Sequence, residues 1–333
     1  MSPVRRRTRP GPGARPAALP GRCLFLVPLL AGALLAGACA RPSGDEPLPD
    51  PGNPAVAPVA GSLDLPWPDE GQAAVSVEGI GSLGTRGRQT PVPIASVTKV
   101  MTAHVILKDR PIKDGTDGAT VVADQQAADE SFSSSESAAP ILAGHSYTQR
   151  QLLEIMMVSS ANNVARLLAR WDAGGQKAFV AKMNRTAAAL GMNRTTYTGV
   201  SGIESDTRST ATDQLKLAGA AMKDPVFRAI VATPAVTPPG GVRIPNTNKL
   251  LGQNGVIGLK TGSSTPAGGN LVWAATQRIG GTARLVLGVV LGQRAGTTPA
   301  QGSAAARDAG LALVTAVRKD LPNAVVRAAG AGG

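Results

Sequence analysis

The chain has 333 residues, 43% of them apolar, enough for one large domain or two small ones. Aromatics are only 3%, so any core rests on Val, Leu, Ile, Ala and Met. Of the formal charge of +12, six belong to Arg5, Arg6, Arg7, Arg9, Arg15 and Arg22. The remaining +6 shows no Lys/Arg stripe with interleaved aromatics, which excludes a nucleic-acid footprint and reads as a solvated basic surface.

Residues 1–40 read as an export signal: an Arg-rich start, an apolar run at 23–35 that is short for a membrane span, then small residues. Two processing routes are open. Ala38-Cys39-Ala40 fits cleavage after small residues. Leu35-Ala36-Gly37-Ala38-Cys39 is like a lipoprotein signal in which Cys39 becomes the lipidated first residue, although Ala36 stands where a larger apolar residue is usual. Cys23 and Cys39 are the only cysteines, so the body of the chain has no disulfide, thiol nucleophile or thiolate metal site. His104 and His145 are too few for a histidine-based zinc site. Residues 41–70, rich in Pro, Gly and Asp, read as a tether. The expected domain is 71–322, with 323–333 as a tail.

Weak alternation at 73–78 followed by the turn-rich 79–87 predicts a β-hairpin. From Ser96 on, Val97, Val100, Met101, His104 and Val105 share a helix face. A second helix is expected at 149–158. A third carries Val164, Leu167, Leu168 and Trp171 at i, i+3, i+4, i+7 spacing. Two more follow at 176–190 and 212–222. Strands return at 255–261, then at 271–277 and 285–291, which the turn 278–282 joins as a hairpin. An amphipathic helix at 303–321 closes the domain. Strands at both ends with helices between predict a single α+β domain, whose antiparallel sheet brings the first and last strands together.

Three short motifs occur in order: Ser96-Val97-Thr98-Lys99, Ser160-Ala161-Asn162 and Lys260-Thr261-Gly262. Each alone is weak; together, in fitting settings, they are specific. The first puts a lysine one helical turn from a serine, on the same face. Serine needs an adjacent base to become a nucleophile. A lysine serves if burial or a nearby cation such as Lys260 keeps it neutral. In the second motif Ser160 can relay a proton and Asn162 can bridge a lysine and a substrate; the competing reading is local helix capping by Ser and Asn. In the third, Lys260 offers a cation and Thr261 a hydroxyl, and Gly262 lets a ligand backbone lie close along a strand edge.

On these motifs the chain closely resembles the serine D-alanyl-D-alanine carboxypeptidases, the low-molecular-weight penicillin-binding proteins of peptidase family S11. The likeness extends over Pro93–Thr102, residues 152–165, Met183-Asn184, residues 189–192, 209–213 and 246–252, and residues 258–262. It covers about 70–320. The resemblance implies a β-lactamase/transpeptidase-like fold, with helices on both faces of the central sheet and a helical subdomain. It implies acyl transfer through a serine ester on Ser96, with Lys99 as base. Ser160, Asn162 and Lys260 would pass a proton to the departing D-alanine. Lys260, Thr261 and Ser264 would hold its carboxylate, and the backbone N–H groups of Ser96 and Ser263 would form the oxyanion hole. The implied partners are peptidoglycan stem peptides ending in D-Ala-D-Ala, and β-lactams that acylate Ser96. No metal or other cofactor is implied. The expected location is outside the cytoplasmic membrane, held there only through the N-terminal signal or a lipid.

The chain also departs from that family. Asn163 stands where many relatives have Asp, and Ser264 where they often have Thr. No segment resembling the family's C-terminal β-domain and anchoring helix follows. The sequence leaves open a D,D-endopeptidase, a class A-like β-lactamase and an idle wall-peptide-binding domain. The second lacks a Glu-x-x-x-Asn segment between the second and third motifs. The Ser-rich stretch 131–137 is expected to be a mobile loop, with a place on the border of the cleft as the alternative reading.

Overall fold

Strand β1 (Gln72–Val77) buries Ala73, Val75 and Val77 on one face and Ala74 on the other. That is the pattern of a strand covered on both sides. The computed structural model describes residues 63–279 and 281–330. The signal segment, Cys39 and most of the expected tether lie outside the described residues.

β1 pairs with β2 (Gly81–Arg86) as the expected hairpin. Its other edge pairs antiparallel with β5 (Thr282–Gln293), in the register Gln72 with Leu291. β5 pairs with β4 (Gly268–Ile279), and β4 with β3 (Val256–Ser264). The order is therefore β2-β1-β5-β4-β3, and the first and last strands meet as the sequence predicts. β3 is an edge strand, and its free side carries the third motif.

The two faces hold separate cores. On one, Val75, Val77, Trp273 and Val290 pack against Leu313, Val314, Val317 and Leu321 of helix α8 (Pro299–Gly330). On the other, Ala74, Val272, Leu287 and Val289 join a core made with the helical region. That region comprises α1 (Lys99–Asp109), α2 (Gln125–Asp129), α3 (Gln149–Val158), α4 (Asn162–Ala173), α5 (Gln176–Ala189), α6 (Ala211–Ala221) and α7 (Pro225–Val231). None of the described helices is long and apolar enough to cross a membrane.

Two boundaries differ from expectation. Leu65 is 3% exposed and Leu63 and Trp67 pack beside it, so the folded unit begins inside the expected tether. These apolar side chains cover the α8 face of the sheet, a contact that composition alone does not reveal. At the other end α8 continues through Pro322 to Gly330. A proline removes one N–H, yet the helix runs on past Pro322.

Candidate active site

The nucleophile segment starts from a two-residue ribbon, Val92–Pro93 paired with Arg208–Ser209. Ala95 then takes a left-handed φ of 45°, a conformation that costs a non-glycine residue on the order of 1 kcal/mol. A 3₁₀ turn over Ala95–Thr98 follows, before α1 begins at Lys99. In a 3₁₀ turn residues i and i+3 eclipse, which sets Lys99 directly under Ser96. Their Nζ and Oγ atoms are 2.9 Å apart. Ser96 is half-buried, while Ile94, Val97 and Lys99 are fully enclosed.

Lys99 has three oxygen neighbours. Besides Ser96 Oγ, its Nζ lies 2.6 Å from Asn162 Oδ1 and 2.8 Å from the Ser201 carbonyl. Ser201 comes this close because Gly202 packs against the nucleophile turn. A Cβ on Gly202 would lie 1.9 Å from the Ala95 carbonyl oxygen. Burial holds the Lys99 ammonium well below its usual range, with further help from the positive charges of Lys260 and Arg166. Glu136 and Glu204 oppose the shift.

The second motif sits at the break between α3 and α4. Ser159 closes α3, Ser160 turns through a left-handed φ of 65°, and Asn162 opens α4. Neither Ser160 nor Asn162 caps a helix: the α4 N-cap is Ala161, without a side-chain bond. Asn162 instead directs Oδ1 at Lys99 and donates from Nδ2 to Glu136 at 2.7 Å. Asn163 is wholly buried. Its amide donates to the Ala127 and Ala139 carbonyls and to Ser131 Oγ, and it accepts from the Ala139 N–H.

Lys260 is 1% exposed, and its Nζ donates to the Thr261 carbonyl at 2.9 Å. Burial lowers its pKa to about 7. The wall of the cleft is formed by Thr261, Gly262 and Ser263, with Lys260 behind them. The Thr261 hydroxyl is 2.8 Å from that of Thr247. Gly262 has a tighter duty than leaving room for a ligand. A Cβ there would stand 2.8 Å from the backbone nitrogens of both Ser96 and Val97, so this glycine lets the edge strand touch the nucleophile turn. Ser264 faces elsewhere: its hydroxyl accepts from the Ala267 N–H at 3.2 Å in the turn to β4.

These elements enclose a cleft of about 490 Å³, bordered by Ser96, Ser160, Thr261, Gly262 and Ser263 together with Ser137 and Thr247. That volume suits a small peptide end. The stretch 131–137 is a structured border of this cleft. Ser137 lines it and its carbonyl accepts from the Asn162 N–H at 2.8 Å, while Glu136 is pinned by Asn162 and Arg166. Three contributors escape sequence reading: Glu136, Arg166 and the Ser201 carbonyl. Two signals pointed to them. Arg166 falls at i+4 from Asn162, on the same helix face, and Glu136 is the one acid in its serine-rich stretch.

A buried lysine beside a serine, next to an open strand edge, is the arrangement of a serine nucleophile with an adjacent base. The D-alanyl-D-alanine carboxypeptidase family model matches residues 82–295, and the chain belongs to that family of serine peptidases. It is 35% identical over 227 residues to the D-alanyl-D-alanine carboxypeptidase of Streptomyces sp. strain K15, covering 63% of this chain and 76% of that one. Its identity to the D-alanyl-D-alanine carboxypeptidase DacB2 of Mycobacterium tuberculosis is also 35%, over 264 residues, 77% of this chain and 81% of the relative. The crystal structure of the Streptomyces K15 DD-transpeptidase superposes with a TM-score of 0.62 at 30% identity, covering 79% of this chain and 97% of that one. The family acts on peptidoglycan ends outside the cytoplasm and takes up β-lactams.

Proposed function

We propose that Ser96 attacks the carbonyl between the two D-alanines of a stem peptide and that Lys99 takes its proton. The observation that carries this is the set of three oxygens around Lys99 Nζ. A neutral amine has two N–H donors and one lone pair. The Asn162 Oδ1 and Ser201 carbonyl oxygens can only accept, so they occupy both donors. The lone pair is left for the Ser96 hydroxyl proton. Transfer of that proton makes an ammonium whose three N–H groups match the three oxygens.

The Ser96 oxygen then bonds to the acyl carbon while the C–N bond to the leaving D-alanine breaks. The proton held on Lys99 passes through Ser160 to the departing amine, with Lys260 assisting. A lysine poised near pH 7 can both hold and release a proton at neutral pH. The Thr261 hydroxyl and Ser263 on the cleft wall meet the terminal carboxylate, and Lys260 supplies positive potential from behind them. The N–H groups of Ser96 and Ser263 receive the developing oxyanion, each worth on the order of 10²–10³ in rate. Water finally splits the ester, giving the shortened peptide and restoring Ser96.

The basic, apolar and small-residue pattern of 1–40 supports export, and Cys39 is a lipidation point that would tether the enzyme outside the membrane. Metabolic labelling with a palmitate analogue in wild type and Cys39→Ala separates lipidation from simple cleavage.

The mechanism is tested by D-alanine release from a peptide ending in D-Ala-D-Ala and by fluorescent penicillin labelling. Ser96→Ala is expected to abolish the label and reduce release by about 10³-fold or more. Equal release by both proteins would overturn it.

A further inference from the structure

Glu136 lies outside all three motifs, yet its carboxylate touches the group that orients the base. Asn162 Nδ2 donates to it at 2.7 Å. Arg166 holds the same carboxylate through both terminal nitrogens, at 2.5 and 3.1 Å, while its Nε bonds Glu130 at 2.8 Å. The arginine side chain is 13% exposed and that of Glu136 11%. Asn163 fastens the segment that carries Glu136 by bonding Ala127 on one side of it and Ala139 on the other.

An asparagine amide has two nearly isosteric orientations. In the observed one Oδ1 faces Lys99 and Nδ2 faces Glu136. In the flipped one Nδ2 would donate to the lone pair of the neutral amine, taking it away from Ser96, and Oδ1 would face a carboxylate, acceptor against acceptor. Only the observed orientation occupies an N–H of Lys99 and so turns its lone pair toward Ser96. We propose that Glu136, clamped by Arg166, is a positioning residue that locks Asn162 in this orientation and thereby aims Lys99 at Ser96. The idea rests on the acyl-enzyme reading above.

The pair also acts through charge. The charged groups acting on Lys99 are Lys260 from β3, Arg166 from α4, Glu136 from the segment before α3 and Glu204 from the loop after Gly202. Glu136 favours the protonated lysine and Arg166 the neutral one. Removing Glu136 therefore shifts the acidic limb of the acylation profile to lower pH. Removing both charges together largely cancels that shift but leaves Asn162 free to flip.

The test measures the second-order rate of acylation by a fluorescent penicillin from pH 5 to 10. The proteins compared are wild type, Glu136→Gln, Glu136→Asp and the double variant Glu136→Leu/Arg166→Leu. The double variant keeps the pair's volume apolar, which guards against a folding failure of the single one. Glu136→Gln is expected to acylate about 10-fold to 100-fold more slowly at the optimum, part of the roughly 10²–10⁴ that a positioned base supplies. Its acidic limb should move to lower pH. Glu136→Asp should recover at least half of the loss on a logarithmic scale. The double variant should be slow with its limb near the wild-type position. Wild-type rates in Glu136→Gln or in the double variant would overturn the proposal. So would a uniform loss with an unmoved limb that Glu136→Asp does not restore. Acylation of wild type itself reports on the acyl-enzyme reading, so failure there is distinct from failure of the clamp.

Discussion

Two lysines in this site are held in an unfavourable setting, and in the proposed mechanism that setting is what lets them carry protons. Lys260 in the unfolded chain keeps its proton to about pH 10.5, in the folded chain only to about 7. Between those values unfolding takes up a proton, so the folded state gains stability as pH rises from 7 to 10.5. Below 7 the full burial penalty stands, on the order of 5 kcal/mol. Lys260→Met should therefore raise the thermal midpoint by several degrees at pH 6 and by much less at pH 10, while slowing penicillin acylation. Differential scanning calorimetry at the two pH values checks the sign; an equal gain at both would argue that packing, not charge burial, sets the effect. At this scale the sequence was informative where geometry is local. Ser96 and Lys99 meet because they are three residues apart, and that spacing is visible in the motif. Glu136 and Asn162 are joined across a helix and a turn; Glu136 is marked as the one acid in its stretch, but nothing in either neighbourhood says that the two meet. The burial of Lys260 behind Thr261 was equally hidden, because a strand motif does not say which side chains meet solvent.

The element that most needs its fixings is the segment from α2 to the start of α3, which borders the cleft with little regular structure. Asn163 carries much of this duty: its two amide N–H groups are shared among the Ala127 and Ala139 carbonyls and Ser131 Oγ. An ionised carboxylate here would face two carbonyl oxygens with nothing to donate. Asn163→Asp should cost about 1–3 kcal/mol of stability, read as a lowered urea midpoint at unchanged slope, and should slow acylation through Glu136. An unchanged midpoint would show that the segment is held by other bonds. The longer helices were legible because a 3.6-residue period repeats within ten residues, whereas the short α2 and α7 were not expected. α3 matches its expected limits, α5 ends one residue earlier than expected, and α4 carries the expected stripe from Val164 to Trp171. The two-residue ribbons, such as the one that presents Ala95 and Ser96, have no period to read. Their existence depends on Arg208 and Ser209 arriving from far along the chain.

For the molecule as a whole, the sheet order followed from strands at both ends and helices between. The limits of the folded unit did not, because Leu63, Leu65 and Trp67 sit in a composition that otherwise reads as tether. Leu65→Ala should destabilise the protein by about 2–4 kcal/mol, as for a buried core leucine. A chain begun at Gly71 should unfold at a lower temperature than one begun at Leu63. Equal midpoints would return the boundary to its expected place.

The pairing of β1 with β5 also has a consequence in time. Gln72 is made early and waits for Leu291, its partner across the sheet. At roughly 5–20 residues per second, that wait is on the order of tens of seconds. Throughout it the β1–β2 hairpin carries an unclaimed row of backbone donors and acceptors, open to any stray strand. The edge strand bearing Lys260 is by contrast made late, just ahead of its neighbour β4. A half-made molecule can thus not close its sheet, and the nucleophile turn gains the cleft wall that Gly262 presses against it only once β3 has been laid down.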